Sequence, residues 1–174
     1  PREPKETNLK IYDHNFKQTS LKDLKLLKNK QWEEKILANW KISELEAKNT
    51  MKSFFLNGVS DYTEGRNFPS KKNVSRLSPY IHWGQISVNT LWYNAMNISI
   101  PMSSNSAEVF LSELGWREFA YYLLFHFPNL QTENLQNKFD RFPWNNDEKF
   151  YKAWISGKTG YPIIDAGMRE LWQT

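Results

Sequence analysis

The sequence contains no cysteine, which excludes disulfides and thiolate metal sites. Histidine is scarce: His14, His82 and His126 make up the whole set, and their spacing fits no metal site. No apolar run approaches the roughly 20 residues of a membrane span. Alternating strand patterns, internal repeats and low-complexity runs are absent from the sequence. No signal peptide is legible, and the chain opens on Pro1 and ends at Leu171-Trp172-Gln173-Thr174, inside an apolar-periodic stretch. We therefore expect further chain on both flanks. Charge is also modest. With 23 basic and 19 acidic residues, the net charge of +4 permits a polyanionic partner without demanding one.

What the chain has in excess is aromatic surface. Phe, Trp and Tyr supply 16% of its 174 residues, including 8 Trp and 11 Phe. Rings of this size fill helical cores. They also serve planar ligands, nucleobases and electron paths, and composition alone does not separate these uses. The length suits one domain or part of one.

Periodicity predicts an all-α fold. Residues 1–30 read as a polar, Lys-rich linker with at most a short helix around Leu21, Leu24 and Leu27; residues 31–174 read as the helical domain. From Gln31, one helical face carries Trp32, Ile36 and Trp40, and another carries Ala47, Met51, Phe54 and Phe55, with a stop at Asn57-Gly58. Residues 59–77 read as an irregular loop. Ser78-Pro79 reads as a helix start with Ser78 as N-cap, and Gly84 as the stop. Ser87 can cap a helix carrying Leu91, Trp92, Ala95 and Met96. Asn105 and Glu108 resemble a capping box. The helix they open places Phe110, Leu114, Tyr121 and Leu124 on one side until Pro128. Asn145 and Glu148 can cap a helix with Phe150 and Trp154 that closes at Gly157, and Pro162 begins the last helix.

Three segments carry chemistry. Ser75-Arg76-Leu77-Ser78-Pro79 puts hydroxyls and unpaired N–H groups at a helix N-terminus, where anions bind; capping alone would also explain Ser78. In Phe110-Leu111-Ser112-Glu113-Leu114-Gly115-Trp116-Arg117-Glu118, Glu113 and Arg117 stand four apart and could form an ordinary helical ion pair, with Trp116 beside them. Downstream, Phe142-Pro143-Trp144 precedes Gly157-Lys158-Thr159-Gly160-Tyr161-Pro162-Ile163-Ile164-Asp165-Ala166-Gly167-Met168-Arg169. The Gly157-Lys158-Thr159 triplet is no P-loop, because the upstream glycine spacing and the preceding strand are missing.

In this order and at these spacings, with Tyr62-x-x-x-Arg66-x-Phe68-Pro69 upstream, the segments resemble the DNA photolyase/cryptochrome family over residues 31–174, and more narrowly its class I cyclobutane-dimer photolyases. The resemblance implies the first part of the all-helical FAD-binding domain, incomplete at the C-terminus. It implies FAD held by Tyr62, by the phosphate loop Val74, Ser75, Arg76, Leu77 and Ser78, and by Phe110 and Arg117. The family often has Thr where this chain has Val74. Trp116 matches the ring that stacks on a flipped pyrimidine dimer, Glu113 a carboxylate between cofactor and lesion, and Arg66 an arginine on DNA phosphate. Trp144 matches the outermost tryptophan of an electron-transfer chain, although it could equally anchor its loop.

The implied activity is light-driven repair of UV-damaged DNA, in a cytoplasmic monomer without membrane attachment. A second antenna chromophore, folate or deazaflavin, would belong to a domain outside this sequence. If Glu113 is buried beside flavin and lesion, desolvation would favour its neutral form. A cryptochrome photoreceptor on the same fold is the alternative. Plant-type members often carry Leu at the Trp116 position, yet the segment from Thr159 to Trp172 resembles theirs closely. A third reading is a helical nucleic-acid-binding module without cofactor. For the segment alone, weak or no FAD retention is expected.

Overall fold

The computed structural model describes residues 1–5, 10, 19–20, 22–26, 31–98 and 105–174. His14 and the predicted Leu21 and Leu27 positions lie outside the described residues; around Leu24 the chain makes a turn, with Lys25 N–H donating to Lys22 O at 3.2 Å. The α-helices are α1 (Gln31–Asn39), α2 (Glu44–Ser53), α3 (Tyr62–Gly65), α4 (Ser78–His82), α5 (Val88–Met96), α6 (Ser106–His126), α7 (Glu148–Ile155) and α8 (Pro162–Gln173). No strand occurs among the described residues. The chain divides into two compact units, one from Pro1–Tyr12 and Ile42–Glu133, the other from Asp13–Lys41 and Asn134–Thr174.

The first unit holds every buried apolar side chain among the described residues. Helix α6 packs on α3 and α5. Beneath it, Phe110 meets Phe54 at 5.0 Å, Tyr62 at 5.6 Å and Phe55 at 5.8 Å between ring centroids. Edge-on and tilted contacts of this kind suit ring quadrupoles. Leu77 and Leu91 are fully buried, so truncation of either to Ala is expected to cost about 2–5 kcal/mol. A polar tie fixes the start of α6: the buried Ser106 hydroxyl lies 3.0 Å from Thr63 Oγ1, accepts from Thr63 N–H at 3.3 Å and donates to Ser60 O at 3.4 Å.

Local signals that need only neighbouring residues are realised. The Ser87 hydroxyl accepts from Thr90 N–H at 3.0 Å and opens α5. Gly84 and Gly157 take φ of +70° and +62° just past α4 and α7, a conformation glycine adopts at little cost. Pro162 is the first residue of α8.

Several boundaries differ from expectation. The pattern running from Gln31 breaks into α1 and α2, because the Ser43 hydroxyl accepts from Glu46 N–H at 3.0 Å and caps a new start. Asn57-Gly58 is not a stop: residues Phe54–Gly58 form a wide π-helical turn, Val59–Asp61 follow as a 3-10 turn, and α3 begins inside the expected loop. Leu77, not Ser78, occupies the cap position of α4; Ser78 is already helical and makes no capping bond. Asn105 precedes α6 without a side-chain cap. Asp147 rather than Asn145 caps α7, its Oδ1 accepting from Lys149 and Phe150 N–H at 2.8 and 3.1 Å. A carboxylate in the extended residue next to the helix outcompetes an amide two positions upstream.

In the second unit, α7 and α8 form a helical pair. The Trp172 indole donates to Ile155 O at 2.7 Å, satisfying a carbonyl at the end of α7. Lys35 Nζ of α1 donates to Trp172 O at 3.4 Å. Phe150, Trp154, Ile163, Leu171 and Trp172 nevertheless remain exposed.

Candidate functional site

Helix α3 and the middle of α6 bring Tyr62, Arg66 and Glu113 together. Arg66 directly follows Gly65 at the end of α3, and its Nη1 donates to Glu113 Oε1 at 2.5 Å. Its guanidinium lies 5.5 Å from the Tyr62 ring centroid. Tyr62 is buried; burial pushes its phenol pKa up, with Arg66 opposing and Glu113 adding to the rise. The hydrogen bond to Glu113 raises the already high pKa of Arg66. The two ion-pair side chains are 33% and 39% exposed, so the pair contributes at most about 1 kcal/mol. Glu113 therefore pairs with Arg66, 47 positions away, and not with the neighbouring Arg117.

Gly65 is required here by close approach. A Cβ at that position would meet side-chain atoms of Asn73 at 2.4–2.5 Å, and Asn73 in turn donates to Gly58 O at 3.2 Å. This packing leads the chain from α3 to the segment Val74–Ser78. There Val74 and Ser78 are exposed, Ser75 half-buried and Leu77 fully buried, its N–H donating to Ser75 Oγ at 3.4 Å. Arg76 holds φ of +53°, a left-handed conformation uncommon for a side chain of its size. Ser75, Arg76, Val74 and Lys72 line a hollow of about 490 Å³ with Asn49, Thr50, Ser53 and Asn57. Two cations among hydroxyls and amides suit a dinucleotide's phosphates.

Further along α6, Trp116 is 64% exposed. It lines a second hollow, about 690 Å³, with Trp92, Leu111, Gly115 and Phe119. This hollow and the one at Ser75–Arg76 have no lining residue in common. Arg117 turns to Tyr121, donating to its hydroxyl at 3.0 Å with the guanidinium 5.1 Å from the ring centroid. Its Nε is buried with no protein partner. A buried donor of this kind accommodates a ligand acceptor. Phe110, expected to line the cofactor cavity, lies in the aromatic core. In the other unit, Trp144 is 75% exposed and rests 4.7 Å from the Phe142 ring.

Sequence reasoning missed the Arg66–Glu113 pair and the Ser106–Thr63 tie, whose partners stand 47 and 43 positions apart with no local signature. It also missed Trp92 as a companion of Trp116. The one available signal was helical spacing, Trp92 following the buried Leu91 by a single position.

A cationic, hydroxyl-lined hollow and an outward-facing tryptophan beside a second hollow both lie on the helical first unit. Residues 110–174 match the family model described as the FAD binding domain of DNA photolyase. The chain is 43% identical over 158 residues to a deoxyribodipyrimidine photo-lyase of Agrobacterium fabrum, covering 90% of the chain and 33% of that protein. It is 35% identical over 142 residues to cryptochrome-2 of Arabidopsis thaliana, covering 78% of the chain and 23% of that protein. Among solved structures it is similar to a bacterial class III photolyase from Agrobacterium tumefaciens, with TM-score 0.81, 43% identity, and coverage of 90% of this chain and 33% of that one. The chain belongs to the photolyase/cryptochrome family, and its fold is that of the family's helical FAD-binding domain. It spans about a third or less of the length of these relatives. The narrower class I likeness expected from the motifs differs from the class III description of this similar structure.

Proposed function

We propose that the intact protein binds FAD through this segment and repairs a cyclobutane pyrimidine dimer in UV-damaged DNA under light. FAD, when bound in its reduced form and excited, supplies the electron that splits the dimer. Tyr62, Val74, Ser75, Arg76, Leu77 and Ser78 hold the cofactor's phosphate side, with Phe110 and Arg117 toward its rings. The cationic hollow at Ser75–Arg76 and the unpartnered Arg117 Nε support this fit.

Trp116 receives the flipped dimer. A damaged pair is cheaper to extrude than a sound one. The single observation that carries this reading is the Trp116 indole, exposed beside its own hollow and one turn from Glu113. Glu113 accepts or shares a hydrogen bond at the base edge, and Arg66 engages DNA phosphate, fixing position without reading sequence. Trp144, exposed in its own unit, serves as the outer end of an electron relay. A second chromophore of folate or deazaflavin type binds elsewhere in the intact protein, which acts as a cytoplasmic monomer. No helix among the described residues is long and apolar enough to cross a membrane.

The test is repair of a thymine dimer by the purified, flavin-containing intact protein under blue light. Repair is expected. Flavin absorbance without repair would support the second reading, a cryptochrome photoreceptor, which the similarity to Arabidopsis cryptochrome-2 favours. Absence of flavin would leave a cofactor-free nucleic-acid module.

A further inference from the structure

Arg66 and Glu113 satisfy each other in the free protein, yet each is suited to a different part of damaged DNA. Glu113 lies on α6 one turn before Arg117 and three residues before Trp116, on one helical face. A base stacked on Trp116 therefore comes within reach of the same carboxylate that holds Arg66. Drawing Glu113 toward a base edge withdraws it from the guanidinium. Arg66 does not collapse when released, because the Tyr62 ring lies 5.5 Å beneath it and Tyr62 is itself fixed among Phe54 and Phe110. The arginine is also one-third exposed, so solvent and DNA can reach it.

We propose that the Arg66–Glu113 pair is a specificity gate: Glu113 masks Arg66 from DNA until a flipped base takes the carboxylate and frees the guanidinium for phosphate. Sound DNA keeps its bases stacked, brings none to Trp116, and gains no contact from Arg66. Damaged DNA delivers a base and gains both contacts. Discrimination thus comes from a cation released by the lesion and not from the stacking ring alone. This inference rests on the DNA-repair reading above and adds to it a residue pair that sets selectivity.

The experiment measures binding of the intact protein to a duplex with and without one thymine dimer, across a salt series. The variants are Glu113→Gln, Arg66→Gln and the double variant. Each phosphate contact steepens the slope of log affinity against log salt by about 0.9. Glu113→Gln unmasks Arg66, so undamaged DNA binds a few-fold tighter with a slope steeper by about one contact. In the Arg66→Gln background, Glu113→Gln brings no such gain. The gate is overturned if Glu113→Gln leaves affinity and slope for undamaged DNA unchanged. It is equally overturned if the gain persists without Arg66, since simple removal of a negative charge would then explain it. A wild-type protein with no preference for damaged DNA would overturn the repair reading and the gate together.

Discussion

Asp165 holds Thr159 twice: its Oδ1 accepts from the Thr159 backbone N–H at 2.8 Å and from the Thr159 hydroxyl at 2.6 Å, while Oδ2 accepts from Gly160 N–H at 3.1 Å. The carboxylate in the first turn of α8 thereby closes the turn between Gly157 and Pro162. The Thr-Gly-Tyr-Pro-x-x-Asp motif is a self-bracing corner in which Asp165 engages the Thr159 hydroxyl.

These hydrogen bonds, led by that from the Thr159 side chain, depress the Asp165 pKa below the ordinary carboxylate value, with Arg169 contributing. A depressed carboxylate stabilises the fold above its unfolded pKa, and that contribution is lost as pH falls through the lower folded value. The loss is expected below about pH 4. Asp165→Asn removes the charge and sets its amide NH2 against either the Gly160 N–H or the Thr159 donors. We expect the melting temperature at neutral pH to fall by a few degrees, and this component of the acid dependence to disappear. Thermal denaturation of the intact protein followed by circular dichroism over a pH series checks both.

Gly65→Ala should destabilise the first unit. The added methyl would come within 2.5 Å of the Asn73 Cβ and Cγ atoms, and Asn73 is anchored to Gly58 O. Overpacking of this kind costs about 1–3 kcal/mol. Urea denaturation measures it. A variant as stable as the parent would show that the α3-to-Asn73 approach is looser than described.

Trp116→Ala should weaken binding of dimer-containing DNA by about 1–3 kcal/mol, the contribution of one base stacked on an aromatic ring. Trp116→Phe should keep most of the affinity. Because the indole is exposed and not in the core, neither change should lower the melting temperature much. Titration with damaged and undamaged duplexes separates the cases: equal losses for both would move Trp116 from lesion recognition to general DNA contact.

Much of the fold was legible because its signals are local. Ser87, Gly84, Gly157 and Pro162 each act on a few adjacent residues, and the structure uses them as the sequence suggests. Failures came where two local candidates competed or where a partner was remote. Asn145 and Asp147 both precede α7, and the nearer charged group wins. Glu113 has an arginine at the favoured i+4 spacing, but Arg117 is engaged by Tyr121, and Arg66 arrives from another helix. The three rings around Phe110 likewise arrive from far upstream in the chain, which no pattern in the linear sequence specifies.

The wide turn at Phe54–Gly58 has a consequence for how this chain can vary in length. On a regular helix, adjacent residues diverge by about 100°, yet Phe54 and Phe55 both reach Phe110. The turn is a π-bulge, which holds one more residue per turn than the α-helix it continues. Deleting one residue between Leu56 and Gly58 would let α2 run on with ordinary periodicity and rotate everything after it. Tyr62 and Arg66 would then leave the Glu113 side of α6, so a deletion in this turn, whose Asn57 also lines the hollow at Ser75–Arg76, would disconnect the pair.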